Sequence, residues 1–123
     1  MNGYVGSTDG GVIGTGYVTY LKLGDIKRPS EIFLILDEHP ETLNDSLFCS
    51  PTTPPAPPTS WQDFPASFHN NSGSFNFVDG HAALHKWLDA STCIPPNGTI
   101  NFSPPAGQMQ DLDWVVNGMS DPE

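Results

Sequence analysis

Apolar and polar residues alternate most regularly over residues 73–87, on both sides of Asp79-Gly80. Alternation with a period of two predicts strands, and Asp-Gly between two such runs favours a two-residue hairpin turn with positive φ at Gly80 and at Asp79. That turn would make three facing pairs: Val78 with His81, Asn76 with Ala83, and Ser74 with His85. Four apolar residues would then share the core face of the hairpin: Phe75, Phe77, Ala82 and Leu84.

Two further apolar groups predict the remaining elements. The continuous run at residues 32–36 has the length of a buried strand. Residues 112–116 predict a short closing element that packs Trp114 against the sheet. Together these elements predict an α+β fold that is mostly β, with a small antiparallel sheet and at most one or two short helices.

Composition adds long connections to this picture. Thirteen Pro and twelve Gly among 123 residues predict turn-rich loops. Residues 1–16 are rich in Gly and predict a loop, and residues 51–58 contain five prolines, which favour an extended polyproline-like loop. The length fits a single domain over residues 1–123.

Charge excludes some partners. The chain has 14 acidic and 4 basic side chains, with a formal net charge of -10, so binding to the phosphate backbone of nucleic acid is not expected. No apolar run reaches the roughly 18–20 residues that a membrane span needs, so we expect no membrane span in this chain.

Candidate metal ligands fall in two groups. Carboxylate and amide oxygens follow the predicted strand at residues 32–36 and suit calcium: Asp37, Glu38, Asn44 and Asp45. His69, Asp79 and His81 form a second candidate centre, which suits zinc or another borderline ion. We predict one divalent metal site, with calcium favoured and zinc second.

The same residues allow two other interpretations. If the protein is an enzyme, His69, Asp79 and His81 are the candidate catalytic residues of a metal-dependent hydrolase acting on an ester or lactone. Alternatively Asp79 is only a turn residue, His81 a solvated strand residue, and Asp37 and Glu38 the charged end of a strand. Cys49 and Cys93 can form a disulfide or remain two buried thiols.

One spacing is more specific than these clusters. His69 is followed by nine residues and then Asp79-Gly80. Further matching groups occur in order along residues 1–116: Pro29-Ser30, Asp37-Glu38-His39-Pro40, Asn44-Asp45, Pro65-Ala66-Ser67, His85-Lys86-Trp87, and Asp111 with Trp114. This pattern resembles the H-X9-DG domain of bacterial prepilin-type proteins, which are pseudopilin-like proteins of the type II secretion and type IV pilus class.

The resemblance implies a pilin-type globular domain, an extracytoplasmic location and other pilin-like subunits of a filament as partners. Members of the family carry an N-terminal hydrophobic helix that this sequence does not show, so we expect the chain to be the globular C-terminal part. An oxidising location implies a Cys49–Cys93 disulfide. Related pseudopilins bind calcium in a loop of the globular domain; this sequence does not show that loop, so the resemblance implies calcium only as an expectation for the class. A metal-dependent hydrolase, and a binding module that displays long loops, are the alternatives.

Overall fold

The computed structural model describes residues 1–6, 16–49 and 58–122. Its sheet has three antiparallel strands in the order β1 (Phe33–Leu36), β2 (Ser72–Phe77) and β3 (Ala82–Lys86), followed by one helix, α1 (Gln110–Met119). Two short 3₁₀ helices lie at Leu23–Asp25 and Ala90–Thr92. The predicted α+β class with a small antiparallel sheet is confirmed. Most of the Pro-rich loop and of the Gly-rich start lie outside the described residues.

β2 is the central strand, and its alternation fixes the core face of the sheet. Phe75 and Phe77 are buried while Asn76 between them is exposed. A bulge in β1 between Phe33 and Ile35 lets both Phe33 and Leu36 face the core, although they are three residues apart. The predicted burial of residues 32–36 is therefore confirmed at Ile32, Phe33 and Leu36, whereas Leu34 is partly buried and Ile35 is exposed.

The hairpin turn differs from the prediction by one residue. The Phe77 N–H donates to His81 O at 2.9 Å, and the Gly80 N–H donates to Phe77 O at 3.0 Å. The loop therefore contains three residues, with Val78 and Asp79 at its centre and Gly80 closing it at a φ of 92°. The predicted two-residue turn is wrong, as is a positive φ at Asp79; a positive φ at Gly80 is confirmed.

Because the loop is one residue longer than predicted, the opposite set of β3 side chains faces the core. Ser74 pairs with Leu84 and Gly73 with His85, so residues of β3 that were predicted to face the core face outward instead. Leu84 is 63% exposed and Ala82 is exposed, so their predicted burial is wrong. The chain beyond β3 instead places Trp87 in the core, where its Nε1 donates to Ala66 O at 2.9 Å.

Helix α1 is the predicted closing element, and it covers the core face of the sheet. Its buried apolar side chains recur at helical spacing: Leu112, Val115, Val116 and Met119. Trp114 meets Phe75 edge to face, with 5.0 Å between ring centroids, which confirms the predicted contact of Trp114 with the sheet. Gly118 permits this close packing, because a Cβ there would lie 3.0 Å from Cδ1 of Phe33.

The N-terminal segment ties the sheet to the helix through one buried side chain. Asn2 is 0% exposed, and its Nδ2 donates to Phe33 O at 2.7 Å and to Met119 O at 2.8 Å. The Asn2 backbone N–H donates to Leu34 O at 2.8 Å. Asn2 thus satisfies carbonyls at the outer edge of β1 and at the end of α1, which would otherwise be buried without a donor.

The two cysteines are free thiols, so the predicted disulfide is wrong. Cys49 is buried, and its backbone N–H donates to Asp63 Oδ2 at 2.6 Å. Cys93 is partly buried, and its Sγ donates to Asp89 O at 3.7 Å. In the described parts of the chain, no helix has the length and apolar character needed to cross a membrane.

Candidate functional site

An open pocket of about 470 Å³ gathers most of the first predicted metal group. Asp37, Glu38 and Asp45 line it together with His69. The pocket lies where β1 ends, because the Asp37 N–H still donates to Ser74 O at 3.2 Å and Glu38 forms an isolated bridge with Pro65. Asn44, the fourth predicted ligand, is exposed and is not part of the pocket lining.

Asp37 and His69 form a hydrogen-bonded pair in this pocket. His69 Nε2 lies 3.0 Å from Asp37 Oδ2, and both side chains are about half exposed. His69 reaches this position because the next two residues, Asn70 and Asn71, take left-handed conformations with φ of 54° and 58°. The Trp87 N–H then donates to Asn71 O at 2.9 Å. The pair therefore connects the end of β1 to the start of β2.

Glu38 contributes an unusual carboxyl group to the same pocket. Burial raises the pKa of Glu38 to about 7, and the nearby negative charges of Asp63 and Asp45 act in the same direction. Its Oε1 atom is buried and has no hydrogen-bond partner.

Burial also raises the pKa of Cys49 to about 12, so this thiol stays protonated at neutral pH and is a poor nucleophile.

The second predicted centre is divided between the two ends of β2. Asp79 and His81 meet at the hairpin, with 2.6 Å between Asp79 Oδ1 and His81 Nδ1, and the His81 ring stacks on Phe77. The Asp79 carboxylate accepts a hydrogen bond from the His81 N–H, which lowers the pKa of Asp79. His69 precedes the other end of the six-residue strand, roughly 17 Å away at 3.3 Å per residue. The predicted grouping of His69 with Asp79 and His81 is therefore not formed.

Neither the Asp37–His69 pair nor the Asp79–His81 pair is part of a complete metal centre in the described residues. Within residues 1–6, 16–49 and 58–122, no three His, Cys, Asp or Glu side chains are arranged to hold one ion. Asp37, Glu38 and Asp45 share a pocket rather than a coordination sphere. Calcium or zinc binding by the predicted residues stays a prediction.

A buried pair of carboxylates, Asp89 and Asp111, was not found from the sequence as an interacting unit. Asp111 accepts from the N–H groups of Leu88 at 3.0 Å and Asp89 at 2.9 Å. Asp89 Oδ2 accepts in return from the Asp111 N–H at 2.9 Å. This exchange satisfies a free donor in the first turn of α1 and fastens the helix to the chain beyond β3. The available signal in the sequence was an Asp directly before the predicted closing element at residues 112–116.

His85 is partly buried among aromatic rings. Its ring stacks on Trp114 at 3.6 Å between centroids and 12° between planes, and Phe75 and Trp87 meet it edge to face. Burial lowers the pKa of His85, which favours the neutral ring. Its Nε2 has no hydrogen-bond partner. His85 thus belongs to the packing between β3 and α1.

Comparisons of the chain with protein-family models, with curated proteins and with solved structures find no match. The resemblance to prepilin-type proteins therefore rests on the residues of this chain alone.

Proposed function

We propose that the chain is a pilin-type structural domain, the globular part of an extracytoplasmic filament subunit of the type II secretion and type IV pilus class. One observation supports the proposal. The residues of the H-X9-DG pattern bracket β2, with His69 paired to Asp37 at its start and Asp79-Gly80 in the turn at its end. These contacts lie at the two ends of the central strand, which agrees with a structural rather than a catalytic role for the pattern.

Cell fractionation and immunogold electron microscopy test this proposal. Antibodies against the domain should label periplasmic or surface filaments of the source cells, and the antigen should fractionate with the cell envelope. Antibodies that have been absorbed with the purified domain are the control. Antigen found only in the cytosolic fraction would overturn the proposed location and with it the filament role.

A metal-assisted hydrolase is the second candidate, and the pocket that contains Asp37 and His69 supports it. A carboxylate beside an imidazole orients the ring, which suits a general base. Glu38 and Asp45 supply further oxygen atoms in the same pocket. This arrangement could activate water toward an ester or lactone if an ion bound beside it.

Hydrolysis of activated esters and lactones, measured with added calcium or zinc, tests the second candidate. Activity should disappear in His69→Ala and remain in Asp25→Ala, which removes an exposed carboxylate from the 3₁₀ helix at Leu23–Asp25. Equal rates for both variants and for the unaltered protein would assign the activity to a contaminant.

A further inference from the structure

The two edges of the sheet are protected to different degrees. At the β1 edge, the Asn2 N–H bonds to Leu34 O, so the N-terminal segment covers part of this strand. β3 forms the other edge, and no other described strand pairs with it. β3 contains no Pro and no bulge, which are common means of preventing pairing with another chain.

The hydrogen-bond pattern shows which groups the open edge presents. The Phe77 N–H donates to His81 O, and the Trp87 N–H donates to Asn71 O. Antiparallel ladders alternate, so the odd-numbered residues of this strand direct their backbone groups toward β2. The N–H and C=O groups of the even-numbered residues therefore point away from the sheet: Ala82, Leu84 and Lys86. Leu84, at the centre, is 63% exposed.

We propose that the β3 edge binds the β3 edge of a second copy of this chain, antiparallel and with Leu84 on the two-fold axis. In this register Leu84 pairs with its own copy, and Ala82 pairs with Lys86 in both directions. The three outward residues of each strand then form about six backbone hydrogen bonds. The exposed Leu84 side chains become direct cross-strand neighbours, which is a favourable apolar contact.

The local charge of β3 permits this occupant, although both copies are acidic overall. Residues 80–88 contain one cation, Lys86, and no carboxylate, although the whole chain has a net charge of -10. The two strands therefore meet along a segment without carboxylates, which limits the repulsion between copies at the contact. The antiparallel register also brings Lys86 to the hairpin end of the second copy, where Asp79 is exposed.

This contact is separate from the proposed filament function. A two-fold contact closes on itself, whereas a filament grows through head-to-tail contacts, so one can fail without the other. A five-residue edge buries little area, so the dimer should be weak and should form at high protein concentration. The negative charge of both copies means that added salt should strengthen it.

Sedimentation velocity from about 10 µM to about 1 mM protein, in about 0.5 M salt, tests the dimer. The unaltered chain should dimerise with rising concentration. Leu84→Pro removes the outward N–H but leaves the β2–β3 bonds, and should weaken association at least tenfold. Leu84→Lys keeps the backbone N–H and places like charges on the two-fold axis, so it should weaken association similarly even if the Pro variant folds poorly. Leu23→Lys, 66% exposed and outside the sheet, should dimerise normally.

Amide hydrogen exchange locates the contact. At high concentration, exchange should slow at Ala82, Leu84 and Lys86, whose N–H groups point outward. A chain that remains monomeric over the whole range, or dimers that form equally well in the folded Leu84 variants, would overturn the proposal.

Discussion

At the scale of single residues, the Asp89–Asp111 exchange joins two buried carboxylates to three backbone N–H groups. Asp111 is 1% exposed and accepts two backbone N–H groups, so Asp111→Ala removes the acceptor of both donors and leaves the Asp89 N–H buried without it. We expect the free energy of unfolding to fall by about 2–4 kcal/mol, in the range for losing hydrogen bonds to a buried charged group. Urea denaturation followed by Trp fluorescence measures it.

Asp113→Ala is the matched control, because Asp113 lies on the same helix but is exposed. This variant should change the free energy of unfolding by less than about 0.5 kcal/mol. Equal losses in the two variants would show that helix propensity or the helix dipole, rather than the buried exchange, stabilises this end of α1.

Glu38 should make stability depend on pH. Its pKa is about 7 in the folded chain and near 4.5 in a solvated side chain, so the folded state binds more protons between these values. Stability should therefore fall as pH rises from about 4.5 to about 7, and level off above that. Glu38→Gln removes this titration and should be more stable than the unaltered chain at pH 8, by about 1 kcal/mol after allowing for solvent screening.

Thermal melting of both proteins across this pH range measures the effect of Glu38. The exposed Glu41→Gln controls for the loss of one negative charge and should follow the unaltered chain. Parallel pH profiles for Glu38→Gln and the unaltered chain would mean that the Glu38 carboxyl is solvated.

At the scale of elements, the hairpin loop determines which side of β3 faces the core. Gly80 closes the loop at a φ of 92°, and a Cβ there would meet no other atom within 4 Å. Any loss of stability in Gly80→Val therefore reports backbone strain rather than a clash. We expect a loss of about 1–3 kcal/mol, because a β-branched residue resists positive φ. Thermal melting of this variant measures the loss.

Gly24→Val provides the comparison for Gly80→Val. Gly24 also has open space around its Cβ position, and its φ is not positive. Its replacement should cost clearly less stability than that of Gly80. Similar losses at both sites would contradict the assigned turn.

In the hairpin, the sequence predicts the buried residues of β2 but not the register of β3. Alternation identified β2 and its buried Phe75 and Phe77, because an isolated strand pattern depends only on side-chain polarity. The register of β3 depends on loop length, and Asp79-Gly80 fits both a two-residue turn and a three-residue loop with Gly80 last. A two-residue turn assigns Leu84 to the core face and His85 to the outer face, whereas the three-residue loop assigns them the other way round. The stacking of His85 on Trp114 of α1 identifies the face of β3 that meets the core, and Trp114 is distant from His85 in sequence.

For the helix and the residues that attach it, one part could be predicted from the sequence and the other could not. Leu112, Val115, Val116 and Met119 follow helical spacing, so a helix of this length could have been predicted rather than a closing element of unstated type. The role of Asn2 could not, since a single Asn in a Gly-rich segment shows no periodicity. The pocket was predictable in part, because Asp37 and Glu38 directly follow a strand, whereas His69 reaches it through a left-handed Asn pair.

At the scale of the whole molecule, the excess of negative charge is the main unfavourable term that solution conditions can change. A net charge of -10 on 123 residues creates repulsion that is relieved on unfolding. Sodium chloride screens it, so raising salt from about 0.02 to about 0.3 M should raise Tm by about 3–5 °C, or about 1 kcal/mol for a domain of this size.

The same melting experiment separates screening from metal binding. Calcium at matched ionic strength should raise Tm beyond sodium chloride only if it occupies a site, since a ligand that binds the folded state adds RT ln(1 + [L]/Kd). The predicted site requires this excess to disappear in Asp45→Asn, which changes the pocket, and to persist in Asp25→Asn, which removes an equal charge elsewhere. An excess that both variants keep would assign calcium to other residues, and no excess at millimolar calcium would remove the calcium site while leaving the filament proposal unaffected.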